Sequence, residues 1–127
     1  MRSSDLGSRV SELRSDTAAT LLERVREVAG ADPGATGLAR LLIAPLERED
    51  AQRGNNLVAT LRVYYACDAR VDRTADALFL HRNSVRYRLD RIRSLVGLDI
   101  DRPNVMAALL LALDCRQPSE RQVGDAG

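Results

Sequence analysis

Residues 75–92 read ADALFLHRNSVRYRLDRI, and the order of apolar and polar residues in this stretch decides the fold. A short helix is predicted to begin after Asp72, which serves as its cap, and to end at Leu78. A tight turn follows, and a second helix is predicted from Arg82 to just before Gly97, which stops it. These proportions are typical of a helix-turn-helix.

The residues around the turn are predicted to pack the two helices together. Ala75 is small at a position where the helices approach closely. Phe79 and Leu80 are assigned to a packed turn, and Leu78 and Leu80 to the core. His81 precedes the second helix and is predicted to cap it, close to a phosphate.

The second helix has two faces. One is a buried apolar stripe with 3- and 4-residue spacings, formed by Val85, Leu89, Ile92 and Val96. At 100° per residue, a second face about 110° from that stripe collects Arg82, Asn83, Arg86, Asp90 and Arg93. We expect Asp90 to pair with Arg86 or Arg93. Arg88 and Arg91 lie off this face and are expected to pair with acids such as Asp76 or Asp99.

The polar face has side chains suited to reading a DNA groove. Arginine binds guanine O6 and N7 with two hydrogen bonds, and asparagine binds adenine N6 and N7 in the same way. Arg82, Asn83 and Arg86 lie in the first two turns, which enter the groove first. Arg73 and Thr74, at the start of the first helix, are expected to meet the DNA backbone. Tyr87 either donates its hydroxyl to a phosphate or covers the helix junction.

The distribution of charge agrees with a phosphate-binding patch. All 19 basic residues are arginine, and the net charge of the chain is only +1. Seven arginines and three acids fall within residues 70–93, a local excess of about +4. Charge alone is equally compatible with a solvated helix face.

The remaining sequence predicts further helices. Residues 5–29 form one long amphipathic helix, whose narrow apolar stripe packs either on the domain or on a second copy of itself. GADPGATG, residues 30–37, is predicted to be a linker. In the helix that follows, Pro45 is expected to cause a kink or a restart. Asn55 or Asn56 is predicted to cap the next helix, and Asp101 the last one. No segment alternates with a period of two, so the fold class is all-α.

Several classes of protein are excluded by what the sequence lacks. Cys67 and Cys115 are isolated, which argues against a metal site or a disulfide, and no cofactor is predicted. Neither a Gly-rich phosphate loop nor a carboxylate pair is found, and Ser84 has no accompanying base, so an enzyme is not expected. There is no signal peptide and no apolar run of about 18–20 residues, so we predict a cytoplasmic protein without a membrane segment.

Residues 55–113 resemble the C-terminal helix-turn-helix domain of the PucR/CdaR regulators, which are bacterial transcription factors. The matching pieces are LVATLRVYY, RTADALFLHRNSVRYRLDRI and GLDIDRP. The resemblance implies DNA binding between Arg73 and Arg93, and it places five residues in the recognition helix, namely Arg82, Asn83, Ser84, Arg86 and Tyr87. Family members usually carry an upstream sensor domain, and this chain has no room for one. It is therefore expected to be either a fragment or a standalone module.

Together these observations predict an all-α helical bundle containing a helix-turn-helix and an extra N-terminal helix. The expected parts are an N-terminal helix and linker (1–37), a DNA-binding domain (38–116) and a flexible tail (117–127). The predicted function is sequence-specific binding of double-stranded DNA by the recognition helix 82–96, as a homodimer joined through the terminal helices. The alternative is a protein-interaction module on the same fold that does not bind DNA.

Overall fold

Six helices make up the part of the chain that the computed structural model describes, which is the backbone of residues 2–115 and the side chains of residues 6–115. In chain order they are α1 Arg2–Ala31, α2 Pro33–Arg53, α3 Leu57–Ala66, α4 Val71–Leu78, α5 Arg82–Val96 and α6 Pro103–Cys115. No strand occurs among these residues, so the all-α prediction is confirmed. The tail predicted at 117–127 lies outside the described residues.

One core joins α2 to α6. Helix α2 packs against α3, α5 and α6, while α3 packs against α4, α5 and α6. Leucine and isoleucine side chains fill the centre, including Ile43 and Leu46 of α2 and Leu61 of α3. Because the apolar residues of each helix recur every three or four positions, each helix turns one stripe inward. Helix α1 contacts only α2 and α6 closely, which leaves most of its surface exposed.

The predicted linker at residues 30–37 is wrong, because helix continues through nearly all of it. Helix α1 ends at Ala31 and α2 begins at Pro33, so only Asp32 separates them. The Asp32 carboxylate accepts a hydrogen bond from the Ala35 backbone N–H at 2.8 Å and caps α2. Proline is well tolerated in the first turn of a helix, where no backbone donor is needed. A single capping residue therefore separates the two helices.

A kink or a restart of the helix was expected at Pro45, and the restart is not found, because α2 continues through Pro45 to Arg53. The expected cap of α3 needs correction. The side chain of Asn56 makes no capping bond. Instead the carboxylate of Asp50, one turn before the end of α2, accepts bonds from the Leu57 and Val58 N–H groups at 2.6 and 3.1 Å. The end of α2 therefore caps the start of α3.

The segment between α5 and α6 is tied to α3 by two tyrosines. Tyr64 donates its hydroxyl to Asp101 at 2.7 Å, and Tyr65 donates to the Ile100 carbonyl at 2.8 Å. Burial and the neighbouring Asp101 carboxylate raise the pKa of Tyr64 to about 12, so its hydroxyl remains a donor. Asp101 was predicted to cap α6, but its carboxylate accepts from Tyr64 and from α5 instead. Pro103 opens α6, in the first turn of a helix where proline is well tolerated.

Candidate nucleic-acid interface

Helices α4 and α5 are joined by a tight turn, which two backbone hydrogen bonds close and which ends α4 at Leu78. The Leu80 N–H donates to the Ala75 carbonyl at 2.9 Å, and the Phe79 N–H donates to the Asp76 carbonyl at 3.3 Å. This pair of bonds is a Schellman motif, and it requires the residue after the helix to adopt the left-handed conformation. Phe79 has φ of +56° accordingly. The turn therefore fixes where α5 begins.

The ring of Phe79 does not pack into this turn, contrary to the sequence prediction. Phe79 is 94% exposed, whereas Leu80 beside it is half-buried against the core. The left-handed backbone turns the two side chains in different directions, so Leu80 packs against the core and the ring of Phe79 does not. The expectation of a packed Phe79 followed from its apolar character, which carries no information about the direction of its side chain.

Helix α5 begins and ends as the sequence predicts. His81 is the N-cap, and its Nδ1 accepts a hydrogen bond from the Asn83 backbone N–H at 3.0 Å. Gly97 ends the helix in the left-handed conformation, with φ of +73°. The stripe of Val85, Leu89 and Ile92 is buried, which sets the rotation of α5 about its axis. The opposite side of its first two turns consequently faces solvent.

Five predicted site residues lie exposed on α5, namely Arg82, Asn83, Ser84, Arg86 and Tyr87. Within the described residues, the guanidinium groups of Arg82 and Arg86 form neither a salt bridge nor a side-chain hydrogen bond. The first two turns of α5 hold no acid that could neutralise them. These two cations are therefore available for an anionic partner.

The later arginines of α5 are held by other helices. Arg91 donates two hydrogen bonds to the carboxylate of Glu49 in α2, from Nε at 2.7 Å and from Nη2 at 2.9 Å. Arg88 donates to the buried hydroxyl of Thr60 in α3 at 3.1 Å. Their scaffold role was expected, but the predicted partners, Asp76 and Asp99, were wrong. The sequence near Arg88 and Arg91 gives no sign that Glu49 and Thr60 are their partners, because these residues lie 42 and 28 positions away.

The bond to Arg91 also sets the charge of Glu49. This carboxylate is only 6% exposed and accepts a further hydrogen bond from Asn55 Nδ2 at 3.0 Å. The hydrogen bonds from Arg91 hold its pKa below the ordinary value of 4.5, against the opposing effect of burial. Glu49 therefore stays ionised and fixes α5 against α2.

Arg93 is shared between two carboxylates. Its Nη1 lies 3.0 Å from Asp90, and its Nη2 lies 3.1 Å from Asp101. The expected pairing of Asp90 with an arginine is thus found with Arg93, which also ties the end of α5 to the following loop. Arg93 was predicted as a DNA contact, and its half-buried side chain is occupied by these two acids.

Helix α4 presents only one of its two predicted contacts. Arg73 is exposed and lies 3.7 Å from Asp68, in a loose surface pair. Thr74 is 0% exposed, and its hydroxyl donates to the Arg70 carbonyl at 2.7 Å. The predicted contact of the Thr74 side chain with DNA is therefore corrected. Helix α4 also begins two residues earlier than expected, with Arg70 as N-cap and Asp72 inside the first turn.

The described residues hold neither a cluster of metal-ligating side chains nor a membrane-spanning helix. Residues 2–115 contain no group of His, Cys, Asp or Glu that could hold a metal ion. None of the helices described is both long and apolar enough to cross a membrane.

Comparison with known proteins gives relatives of much greater length. The protein of the pkwA 5′ region of Thermomonospora curvata is 40% identical over 79 residues, which are 62% of this chain and 43% of that protein. The purine catabolism regulatory protein of Bacillus subtilis is 37% identical over 65 residues, 51% of this chain and 12% of the relative. The carbohydrate diacid regulator of Escherichia coli is 37% identical over 73 residues, 57% of this chain and 19% of the relative. The chain thus spans less than half the length of each of these relatives.

No solved structure matches the chain. Residues 57–115 match the PucR C-terminal helix-turn-helix domain, and they begin and end with helices α3 and α6. The match contains the Schellman turn, the His81 cap and the exposed arginines of α5. Helices α3 to α6 therefore belong to the family of PucR C-terminal helix-turn-helix domains.

Proposed function

We propose that this chain binds double-stranded DNA as the sequence-reading part of a bacterial transcriptional regulator, with α5 in the major groove. The observation that carries the proposal is the division among the arginines of α5. Arg82 and Arg86 are exposed and unpaired among the described residues, whereas Arg88 and Arg91 are held by the core. A DNA-reading helix needs this arrangement, since its back must be anchored while its front remains free.

The side chains of the first two turns suit direct contact with base edges. Arg82 and Arg86 have the geometry for guanine, and Asn83 has the geometry for adenine. Ser84 and Tyr87 carry hydroxyls that suit phosphate oxygens, and His81 lies at the helix N-terminus, where anions are favoured. Arg73 is proposed to contact the DNA backbone from α4, because its pair with Asp68 is exposed and weak. Arg93 is proposed to support the face, with its charge shared by two acids.

Because bacterial DNA lies in the cytoplasm, a chain that binds it is assigned to the cytoplasm in this proposal. No residue is assigned a catalytic role. Relatives named as regulators support the same view. A second candidate function, protein interaction without DNA binding, is favoured by the near-neutral chain and by exposed apolar side chains on α1. We propose that this α1 surface instead joins two copies of the DNA-binding chain, since one helix-turn-helix buries little DNA surface.

The test measures DNA affinity by fluorescence anisotropy over a range of salt concentrations. The probe is a duplex that the wild-type chain selects from a random-sequence pool. Arg82→Ala and Arg86→Ala are each expected to weaken binding about 5- to 150-fold, the range for one lost base contact. A lost phosphate contact also lowers the salt slope by about one unit.

Arg14→Ala is the matched control, because Arg14 is exposed on α1, which packs on α2 and α6 rather than on α4 or α5. The control should bind as the wild type does. Failure of the wild-type chain to select any sequence, or equal affinity of all three variants, would contradict the proposal. Unchanged unfolding midpoints in urea would show that the arginine variants remain folded.

A further inference from the structure

Phe79 has a left-handed backbone conformation, which is unfavourable for a phenylalanine. Its φ of +56° belongs to the left-handed region, which glycine adopts without the steric cost that a Cβ brings. Its ring is 94% exposed and therefore gains no packing that would offset this cost. The Schellman turn is formed by backbone atoms and by Leu80, so the turn does not need the ring.

The position of Phe79 puts its ring beside the proposed DNA-reading face. Only Leu80 and His81 separate it from Arg82, and a chain of three residues spans at most about 11 Å. The first two turns of α5 hold basic and neutral side chains, so their surroundings suit phosphate. An exposed aromatic ring next to such a surface can contact the apolar parts of a duplex. These parts are the thymine methyl group in the major groove and the deoxyribose carbons of the backbone.

We propose that Phe79 is a DNA-contacting residue whose ring packs against an apolar part of the duplex at the N-terminal end of α5. This inference rests on the proposed function and adds an apolar contact to its polar ones. The left-handed turn fixes the backbone of Phe79 with the ring in solvent before binding, so little backbone freedom is lost when the complex forms.

Three substitutions separate contact from structure. Phe79→Gly removes both the ring and the steric cost, so its unfolding midpoint should rise by a few degrees while its affinity for the selected duplex falls roughly tenfold. Phe79→Ala removes the ring and keeps the left-handed strain, so affinity should fall equally without the gain in stability. Phe79→Tyr keeps an aromatic ring and should retain most of the affinity. A ring that only supported the fold would instead lower the midpoint when removed.

Replacing thymine by uracil in the selected duplex identifies the apolar group, because uracil lacks only the methyl. If the ring contacts a thymine methyl, one such replacement should weaken wild-type binding and leave Phe79→Ala unaffected. If the ring contacts deoxyribose, no uracil replacement should distinguish the two proteins, and the loss in Phe79→Ala should be similar for every strong site.

Leu98→Ala is the matched control, since Leu98 is an exposed apolar side chain beyond the opposite end of α5. It should bind DNA as the wild type does. Wild-type affinity in Phe79→Ala and Phe79→Gly, with binding still lost in Arg82→Ala, would overturn the role of Phe79 and leave the DNA proposal standing. That result would leave a protein partner as the ligand for the ring. Absence of DNA binding by the wild type would overturn both.

Discussion

At the scale of single residues, the chemistry of this chain depends on which cations have partners. Arg82 and Arg91 are the same residue type on the same helix, nine positions apart in the sequence. Arg91 reaches a buried carboxylate and becomes part of the scaffold, whereas Arg82 points into solvent. A guanidinium with two good bonds to a carboxylate is a poor candidate for a ligand, because DNA would have to displace that carboxylate.

Glu49 gives a prediction about pH. Its pKa is lowered in the folded chain, so its ionised form stabilises the fold above about pH 4.5, and this contribution is lost as the pH falls through the lowered pKa. We expect Glu49→Gln to be less stable than the wild type at pH 7, and the difference to shrink at pH 3. Urea unfolding at the two pH values measures both effects.

Glu12→Gln is the control for this experiment, because Glu12 is exposed on α1. It should have nearly the stability of the wild type at both pH values. A Glu49→Gln difference that stays the same at pH 7 and pH 3 would show that the loss comes from packing and not from the charge.

At the scale of helices, the caps of α2, α3 and α5 differ in how far the capping side chain lies in the sequence from the backbone that it caps. His81 caps α5 through an interaction between residues two apart in the sequence, and Asp32 caps α2 through one between residues three apart. Such caps lie within one sequence window, which contains both partners, although only the His81 cap was predicted and the Asp32 cap fell in the segment assigned to a linker. The cap of α3 spans seven and eight residues and comes from the preceding helix, so a search for a local cap selected Asn55 or Asn56 instead.

The cap of α3 can be tested by paired substitutions. Asp50→Ala removes the acceptor of two backbone N–H groups and should destabilise the fold by about 1–2 kcal/mol. Asn56→Gly removes a side chain that makes no capping bond and relieves a left-handed φ of +55°, so it should leave stability unchanged or raise it. Urea denaturation measures both. The reverse order of stabilities would restore Asn56 as the cap.

At the scale of the whole molecule, α1 is the element with the least packing. It contains 30 residues and is therefore about 45 Å long, yet among the described helices it packs closely only against α2 and α6. Its exposed apolar residues follow 3- and 4-residue spacings along much of its length, and they include Leu6, Val10, Leu13, Leu21 and Val28. An unpartnered stripe of this kind is typical of a helix that pairs with another helix. Helix α6, the other predicted dimer element, uses Leu109 and Leu113 in the core.

The α1 stripe yields a prediction about assembly. Leu13→Asp places a charge in the centre of the exposed stripe and should shift the chain from dimer to monomer in sedimentation velocity. Because Leu13 is exposed, the unfolding midpoint extrapolated to low protein concentration should change little. The affinity for a two-site duplex with half-sites about 34 Å apart should fall more than the affinity for one half-site.

Glu12→Gln serves here too, as a change of charge on the same helix that leaves the apolar stripe intact. It should remain dimeric. A wild-type chain that is monomeric at all concentrations tested would contradict the assembly proposal without affecting the DNA-reading face.

The sequence by itself determined the helical class, the turn at residues 79–80, the His81 cap, the Gly97 stop and the buried stripe of α5. Each of these depends on periodicity or on groups within a few residues of one another, so one segment of chain contains all the causes. The tertiary structure alone decided that Glu49 and Thr60 hold Arg91 and Arg88, that Asp50 caps α3 and that Thr74 is buried. It also decided that the ring of Phe79 points into solvent. These outcomes depend on how the helices rotate and meet, because a side chain finds its distant partner only after the core has packed.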